Sequence, residues 1–179
     1  IRDKGILRVI VPGEEFDALP RSGSVLSFET DMAAALASEL QVEPVFVYAH
    51  RYDSIIPWLQ NGKGDVAIAS LTITGRRSTE VDFTDPVGYV QELLVGRVAD
   101  TGRYRSPADL EGATVAVRTS ASYFSTLKAL RDTLDSLRIE PIAERLHTHE
   151  ILHKVASGKY PLTVCDSDIF DAVSEYEDR

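Results

Sequence analysis

Short β-branched runs and helical periods alternate along the first part of this chain, and that alternation narrows the fold more than any other feature. Leu7-Arg8-Val9-Ile10-Val11 is a compact strand closed by Pro12-Gly13. A polar loop from Glu14 to Ser24 leads to a helix capped by Ser27, in which Phe28, Met32, Leu36 and Leu40 recur every four residues. Pro44 to Ala49 is a second strand. Asp53 caps the next helix, and Pro57 falls in its first turn, where a missing N–H has no intrahelical acceptor to lose. Gly62 and Gly64 end that helix, and Val66 to Ala69 is a third strand. Strand, helix, strand, helix, strand predicts an α/β protein with a doubly wound parallel sheet. Such sheets place ligands at the carboxyl ends of their strands, here Pro12 to Asp17, His50 to Tyr52 and Ser70 to Arg77.

The pattern then restarts. Gln91 to Val98 reads as one extended strand, and Ser106-Pro107 opens a short helix that stops at Gly112. Thr114 to Val117 begins a second alternating unit. It continues as a helix from Ser122 to Leu137, a strand from Ile139 to Ala143 and a helix from His149 to Ser157. Pro161 to Cys165 is a further strand, and a closing helix runs from Asp168 to Tyr176. Two lobes are expected, residues 1–90 and 97–179, hinged at a crossover over 91–96, with a cleft between them.

Composition removes several functions. Asp and Glu number 28 against 19 Lys and Arg, a formal charge of -9, which repels phosphate backbones and excludes nucleic acid and anionic membranes as general partners. The single cysteine, Cys165, forms no internal disulfide, and its place inside a hydrophobic strand makes it a small buried apolar residue. No apolar run approaches the roughly 20 residues that cross a bilayer. No phosphate-binding glycine loop and no activated nucleophile stand out, so no cofactor is expected. The opening Ile1-Arg2-Asp3-Lys4-Gly5 is neither an initiator methionine nor a signal peptide, and a processed, exported product is the expectation.

Four stretches resemble the periplasmic solute-binding proteins of the amino-acid type, family 3. Ser27-Phe28-Glu29-Thr30-Asp31-Met32-Ala33 is similar to the family's "GFxxDLA" helix start. Gly64 to Arg77 is similar to its "GDxxxxxxTxTxxR" segment, continued by Val81-Asp82-Phe83-Thr84-Asp85-Pro86, with Val87 where an aromatic residue is usual. The third stretch is Asp109 to Val117 and the fourth Gly158 to Ser167. Leu19-Pro20-Arg21, Arg118 to Tyr123 and the "GKYxLTxxDS" run most resemble the binding-protein-like N-terminal domain of F-type membrane-bound lytic murein transglycosylases. The resemblance implies a two-lobed, type II periplasmic-binding-protein-like fold, with the C-terminal segment of lobe 1 expected to lie beyond this chain. It also implies a periplasmic or outer-membrane-associated protein and a small zwitterionic ligand.

Arg77 is the leading ligand residue: a guanidinium presents a planar fork that matches a carboxylate two-to-two and is never neutral. Ser70, Thr72 and Thr74 stand just before it as short hydroxyl donors, and the family's matching arginine holds a ligand α-carboxylate. Arg76 is its neighbour, expected to matter less. Ser120 and Ser122 lie at a helix start whose N–H groups suit the same carboxylate, although Ser120-Ala121 departs from the family's Gly-Thr and Ser122 equally suits a cap. Asp166 matches the carboxylate that meets a ligand ammonium, or else caps the final helix. Phe16 and Tyr52 either wall a side-chain pocket or simply pack.

One motif points elsewhere. His149-Glu150-Ile151-Leu152-His153 spells H-E-x-x-H, in which two imidazoles one helical turn apart grip zinc while the glutamate activates water. Its place at a helix start after a Thr148 cap argues against a buried metal site. The sequence therefore favours a binding domain for an amino acid or short cell-wall-derived peptide, acting as a monomeric regulatory module of a transglycosylase-like envelope protein and performing no chemistry itself. The alternatives are an amino-acid-binding protein serving an uptake transporter and, at lower weight, a zinc hydrolase. Peptidoglycan fragments or a transporter are the corresponding partners.

Overall fold

A computed structural model describes residues 1–12 and 25–177. Two compact units form, Ile1–Pro86 and Val87–Arg179. No helix among the described residues is long and apolar enough to cross a membrane.

The first unit is built on a three-stranded parallel sheet of order β2-β1-β3. Its strands are β1 (Ile6–Pro12), β2 (Glu43–Ala49) and β3 (Val66–Ala67). The middle strand is apolar on both faces, as its place requires. Leu7, Val9 and Val11 pack with Ala33 and Ala37 of helix α1 (Val25–Leu40), whereas Ile10 joins Ala49, Ala69 and Ile55 of α2 (Ile55–Gln60) on the opposite face. Each buried Leu, Val or Ile side chain among these stabilises the unit by about 1.5–3 kcal/mol. The ladder of β3 is shorter than the expected four residues, with Ile68 adding one further bond to the Ile10 carbonyl at 2.9 Å.

Three local expectations change. Helix α1 starts at Val25, so Ser27 lies inside its first turn, and its most buried stripe is Glu29, Ala33 and Ala37. Phe28 is 51% exposed, and Met32, Leu36 and Leu40 only flank that stripe. Two alanines let the helix axis approach the sheet closely, which a row of bulky side chains prevents. Asp53 does not cap a helix by its side chain: a 3-10 turn, Tyr52–Ser54, precedes α2, and the Asp53 carboxylate takes the Arg51 guanidinium at 3.0 and 2.5 Å. A charge-assisted fork outcompetes a single amide donor there.

The Gly64-Asp65 pair aligns β3 with β1. A Cβ on Gly64 would sit 2.4 Å from Cγ1 of Ile10. Asp65 accepts from the Arg8 backbone N–H at 2.9 Å and from its Nε and Nη2 at 3.0 and 2.7 Å, while its own N–H donates to the Arg8 carbonyl at 2.8 Å. Arg8 holds the Asp65 carboxyl down at about 2, chiefly through the side-chain hydrogen bond.

The second unit carries a four-stranded sheet of order β4-β7-β5-β6. Its strands are β4 (Glu92–Gly96), β5 (Thr114–Val117), β6 (Arg138–Pro141) and β7 (Leu162–Asp166), with β4 antiparallel and the others parallel. The segment expected as the crossover thus supplies an edge strand of this sheet. Helices α3 (Tyr123–Arg131), α4 (Thr148–Ala156) and α5 (Ser167–Glu177) cover it. Helix α3 stops six residues short of the expected Leu137 because Thr133 donates its hydroxyl back to the Leu130 carbonyl at 2.8 Å, within a run of Asp, Thr and Ser that favours turns. The turns that follow return Leu137 to a core of Leu110, Val115, Val117, Tyr123, Leu127, Leu162 and Val164. Cys165 packs with Leu152 and Val173; burial first, then the nearby aspartates, pushes its thiol up to about 12. It is an inert core residue.

Candidate functional site

In the first unit the carboxyl end of β3 runs into an exposed turn at Ser70, whose φ of 46° places an L-residue in the left-handed region. The Tyr52 hydroxyl pins this turn, sharing its one proton between the carbonyls of Ala69 and Ser70 at 2.7 and 3.2 Å. Tyr52, weighed as a pocket wall or as packing, therefore acts through its hydroxyl. Burial, opposed by the nearby Ser70 hydroxyl, pushes the Glu29 carboxyl of α1 up to about 7.

Beyond the turn the loop folds on itself. Arg77 Nη1 donates to the Thr72 carbonyl at 2.9 Å, and the Arg77 backbone N–H donates to Oγ1 of Thr74 at 3.2 Å. These bonds tie Thr72, Thr74 and Arg77 together, with Arg77 and Thr72 half-buried, and the exposed Ser70 stands just before them in the chain. Arg76 points to solvent and pairs with Glu80 at 3.1 Å, a surface contact. Phe16 lies outside the described residues.

In the second unit the donors after β5 are engaged by a carboxylate of the same chain. Glu144 Oε1 accepts from the Thr119 hydroxyl at 2.8 Å and the Ser120 N–H at 3.2 Å, and Oε2 accepts from the Ser120 hydroxyl at 2.5 Å. Ser122 occupies the N-cap position of α3 without a side-chain cap bond. Asp166 ends β7 half-buried, directly before α5. Beside it lies the Tyr123 hydroxyl, whose pKa is raised mainly by burial, opposed by the Arg118 guanidinium and reinforced by the Asp166 charge. Arg118 is buried and donates through Nη2 to the Thr148 hydroxyl at 2.9 Å.

The sequence profile of the bacterial extracellular solute-binding proteins, family 3, matches residues 7–149. The chain belongs to this family. It is 34% identical over 145 residues to a membrane-bound lytic murein transglycosylase F of Desulfosudis oleivorans, covering 80% of this chain and 31% of that protein. It is 32% identical over 108 residues to ABC transporter arginine-binding protein 1 of Escherichia coli, covering 60% of this chain and 43% of that one. The chain thus spans less than half the length of either relative. A solved structure of an ancestral arginine-binding protein bound to arginine superposes with a TM-score of 0.78 at 28% identity, covering 96% of this chain and 74% of the other. The two units are the lobes of a two-lobed, type II periplasmic-binding-protein-like α/β fold.

Elsewhere in this family 3 domain, the H-E-x-x-H segment is committed to starting a helix. The Glu150 carboxylate accepts the His147 backbone N–H at 2.8 Å in a capping box, so His147, not Thr148, is the cap residue; the Thr148 hydroxyl faces inward to Arg118. The His147 and His149 rings stack at 5.7 Å, and burial, first, lowers the pKa of His149. Among the described residues no group of three or more His, Cys, Asp or Glu is arranged to hold a metal.

Sequence reasoning missed two acidic residues at these sites. Glu29 carried a signal, since Ala33 and Ala37 follow it at helical spacing and mark a close-packed face. Glu144 carried none, because it meets Ser120 only through the pairing of β5 with β6.

Proposed function

We propose that this chain is a ligand-binding domain for an amino acid or a short cell-wall-derived peptide. Arg77 and Thr72 take the ligand carboxylate. The observation that carries this is the Ser70–Arg77 loop: a half-buried guanidinium and three hydroxyl residues gathered just past the end of a parallel strand, where doubly wound sheets receive ligands. The arginine-bound state of a structural neighbour supports an amino acid as the ligand class. The domain works by reversible binding, without covalent chemistry, in an exported, periplasmic or outer-membrane-associated protein. Similarity to the F-type transglycosylase supports a regulatory role beside a separate catalytic domain, with peptidoglycan fragments as the ligand source. The 32% identity to an arginine-binding protein favours a second reading, delivery of an amino acid to an uptake transporter.

A thermal-shift screen of the twenty L-amino acids and of muropeptides, run on wild type and on Arg77→Ala, tests the site. A hit is expected to stabilise the wild type and to lose at least about tenfold in affinity in the variant, the scale of a charge-assisted bidentate contact. Equal stabilisation of both proteins overturns the assignment. Muropeptide hits alone favour the regulatory reading, and free amino acids alone favour uptake.

A further inference from the structure

We infer that Tyr52 is a positioning residue of the ligand loop, acting through its hydroxyl rather than its aromatic ring. The hydroxyl fixes the left-handed Ser70 turn from which the segment to Arg77 departs, and so sets the fraction of molecules ready to bind. This rests on the reading above, in which that loop receives a carboxylate.

Tyr52 is itself held firmly. It opens the 3-10 turn Tyr52–Ser54, where the Asp53 carboxylate takes the Arg51 fork and the Ser54 N–H and hydroxyl donate to the Arg51 carbonyl at 3.0 and 2.5 Å. Its half-buried ring packs on the core of Ile10, Ala49, Ile55 and Ala69. A ring wedged in this way has few rotamers left, so its hydroxyl is aimed before any ligand arrives.

The hydroxyl meets the loop where the sheet lets go of it. Bonding to β1 runs on to Ile68, whose N–H donates to the Ile10 carbonyl at 2.9 Å. The next two carbonyls, of Ala69 and Ser70, take the Tyr52 hydroxyl at 2.7 and 3.2 Å. One proton shared between two acceptors makes a forked bond, stronger to Ala69 than to Ser70. These carbonyls straddle the φ and ψ angles of Ser70, so a donor seated on both fixes that residue's conformation.

That conformation needs fixing. Ser70 holds a φ of 46°, which costs an L-residue about as much as one net hydrogen bond returns. The Thr72 carbonyl then takes Arg77 Nη1 at 2.9 Å, and the Thr74 hydroxyl takes the Arg77 N–H at 3.2 Å. The direction in which the chain leaves Ser70 therefore sets where the guanidinium sits. Without the Tyr52 hydroxyl the turn relaxes in a share of the molecules, and the apparent affinity falls in proportion to the share still holding the binding form.

Calorimetric titration with L-arginine, on wild type and on variants whose fold is checked by circular dichroism, reads the clamp. Tyr52→Phe keeps the ring and removes the hydroxyl; its Kd is expected to rise about five- to tenfold, the ratio that one hydrogen bond carries. Substitutions at Ser70 separate positioning from a general loss of stability. In Ser70→Ala, which lacks the serine hydroxyl but keeps the cost of the left-handed turn, Tyr52→Phe is expected to raise Kd by the same ratio. In Ser70→Gly that cost is gone, and Tyr52→Phe is expected to raise Kd less than about twofold. If Tyr52→Phe alone unfolds, its combination with Ser70→Gly is expected to fold and to bind within about twofold of Ser70→Gly, and failure to fold overturns the positioning role. An equal effect in all three backgrounds, one that vanishes already in Ser70→Ala, or none at all, overturns the clamp alone. Absence of any L-arginine binding by the wild type overturns the arginine reading and the clamp together.

Discussion

Glu144 engages both donors of Ser120, accepting the hydroxyl at Oε2 (2.5 Å) and the backbone N–H at Oε1 (3.2 Å). A carboxylate from the loop after β6 therefore sits at the start of α3, in the place expected for a ligand anion. Removing it in Glu144→Ala is expected to cost about 1–2 kcal/mol, because buried or half-buried donors lose their acceptor. In a double-mutant cycle with Ser120→Ala the two losses should couple by about 1 kcal/mol. Urea denaturation of the four proteins measures this, and strictly additive effects would show that the contact contributes nothing.

The Gly64-Asp65 pair yields a second prediction, in which packing and charge separate. Gly64→Ala forces a methyl group against Ile10 and is expected to destabilise by about 1–3 kcal/mol. Asp65→Asn acts through pH instead. The folded Asp65 carboxyl lies at about 2, below its ordinary 3.8, so its contribution is full above that ordinary value and is lost as pH falls toward 2. Urea midpoints of wild type should fall between pH 5 and pH 2.5 more steeply than those of Asp65→Asn. Parallel acid limbs would refute the role of the Arg8 fork.

The histidine motif makes a third prediction. Purified protein is expected to carry no stoichiometric zinc, and EDTA should leave its Tm unchanged, because among the described residues no third ligand joins His149 and His153, and Glu150, the motif's base, is spent on the start of α4. Glu150→Ala is expected to cost about 1 kcal/mol by opening the capping box. One zinc per chain, released by EDTA with a fall in Tm, would restore the hydrolase reading.

Where the structure agrees with the sequence, it does so on strands and on the dominant alternation. The runs at β1, β2 and β7 were legible to within one or two residues: β1 and β7 are inner strands and so continuously apolar, and the edge strand β2 is marked by its β-branched and aromatic residues. Helix faces and caps were less legible. Apolar periodicity marked Phe28 as part of the α1 face, yet the sheet receives Glu29, Ala33 and Ala37. Asp53 and Thr148 have good capping chemistry, but Arg51 and Arg118 offer them charged donors that a helix amide does not match.

By itself, the sequence determined that two successive α/β units form and that Cys165 is buried. Both depend on residue type and local period. Only the tertiary structure decided which polar groups meet. Arg8 reaches Asp65 across 57 residues, Arg118 reaches Thr148 across 30 and Ser120 reaches Glu144 across 24. The physical reason is that burying apolar surface is non-directional and tolerates many partners, so a pattern along the chain suffices to predict it. A hydrogen bond needs one donor and one acceptor within about 3 Å and in line, a condition set by how strands and helices pack.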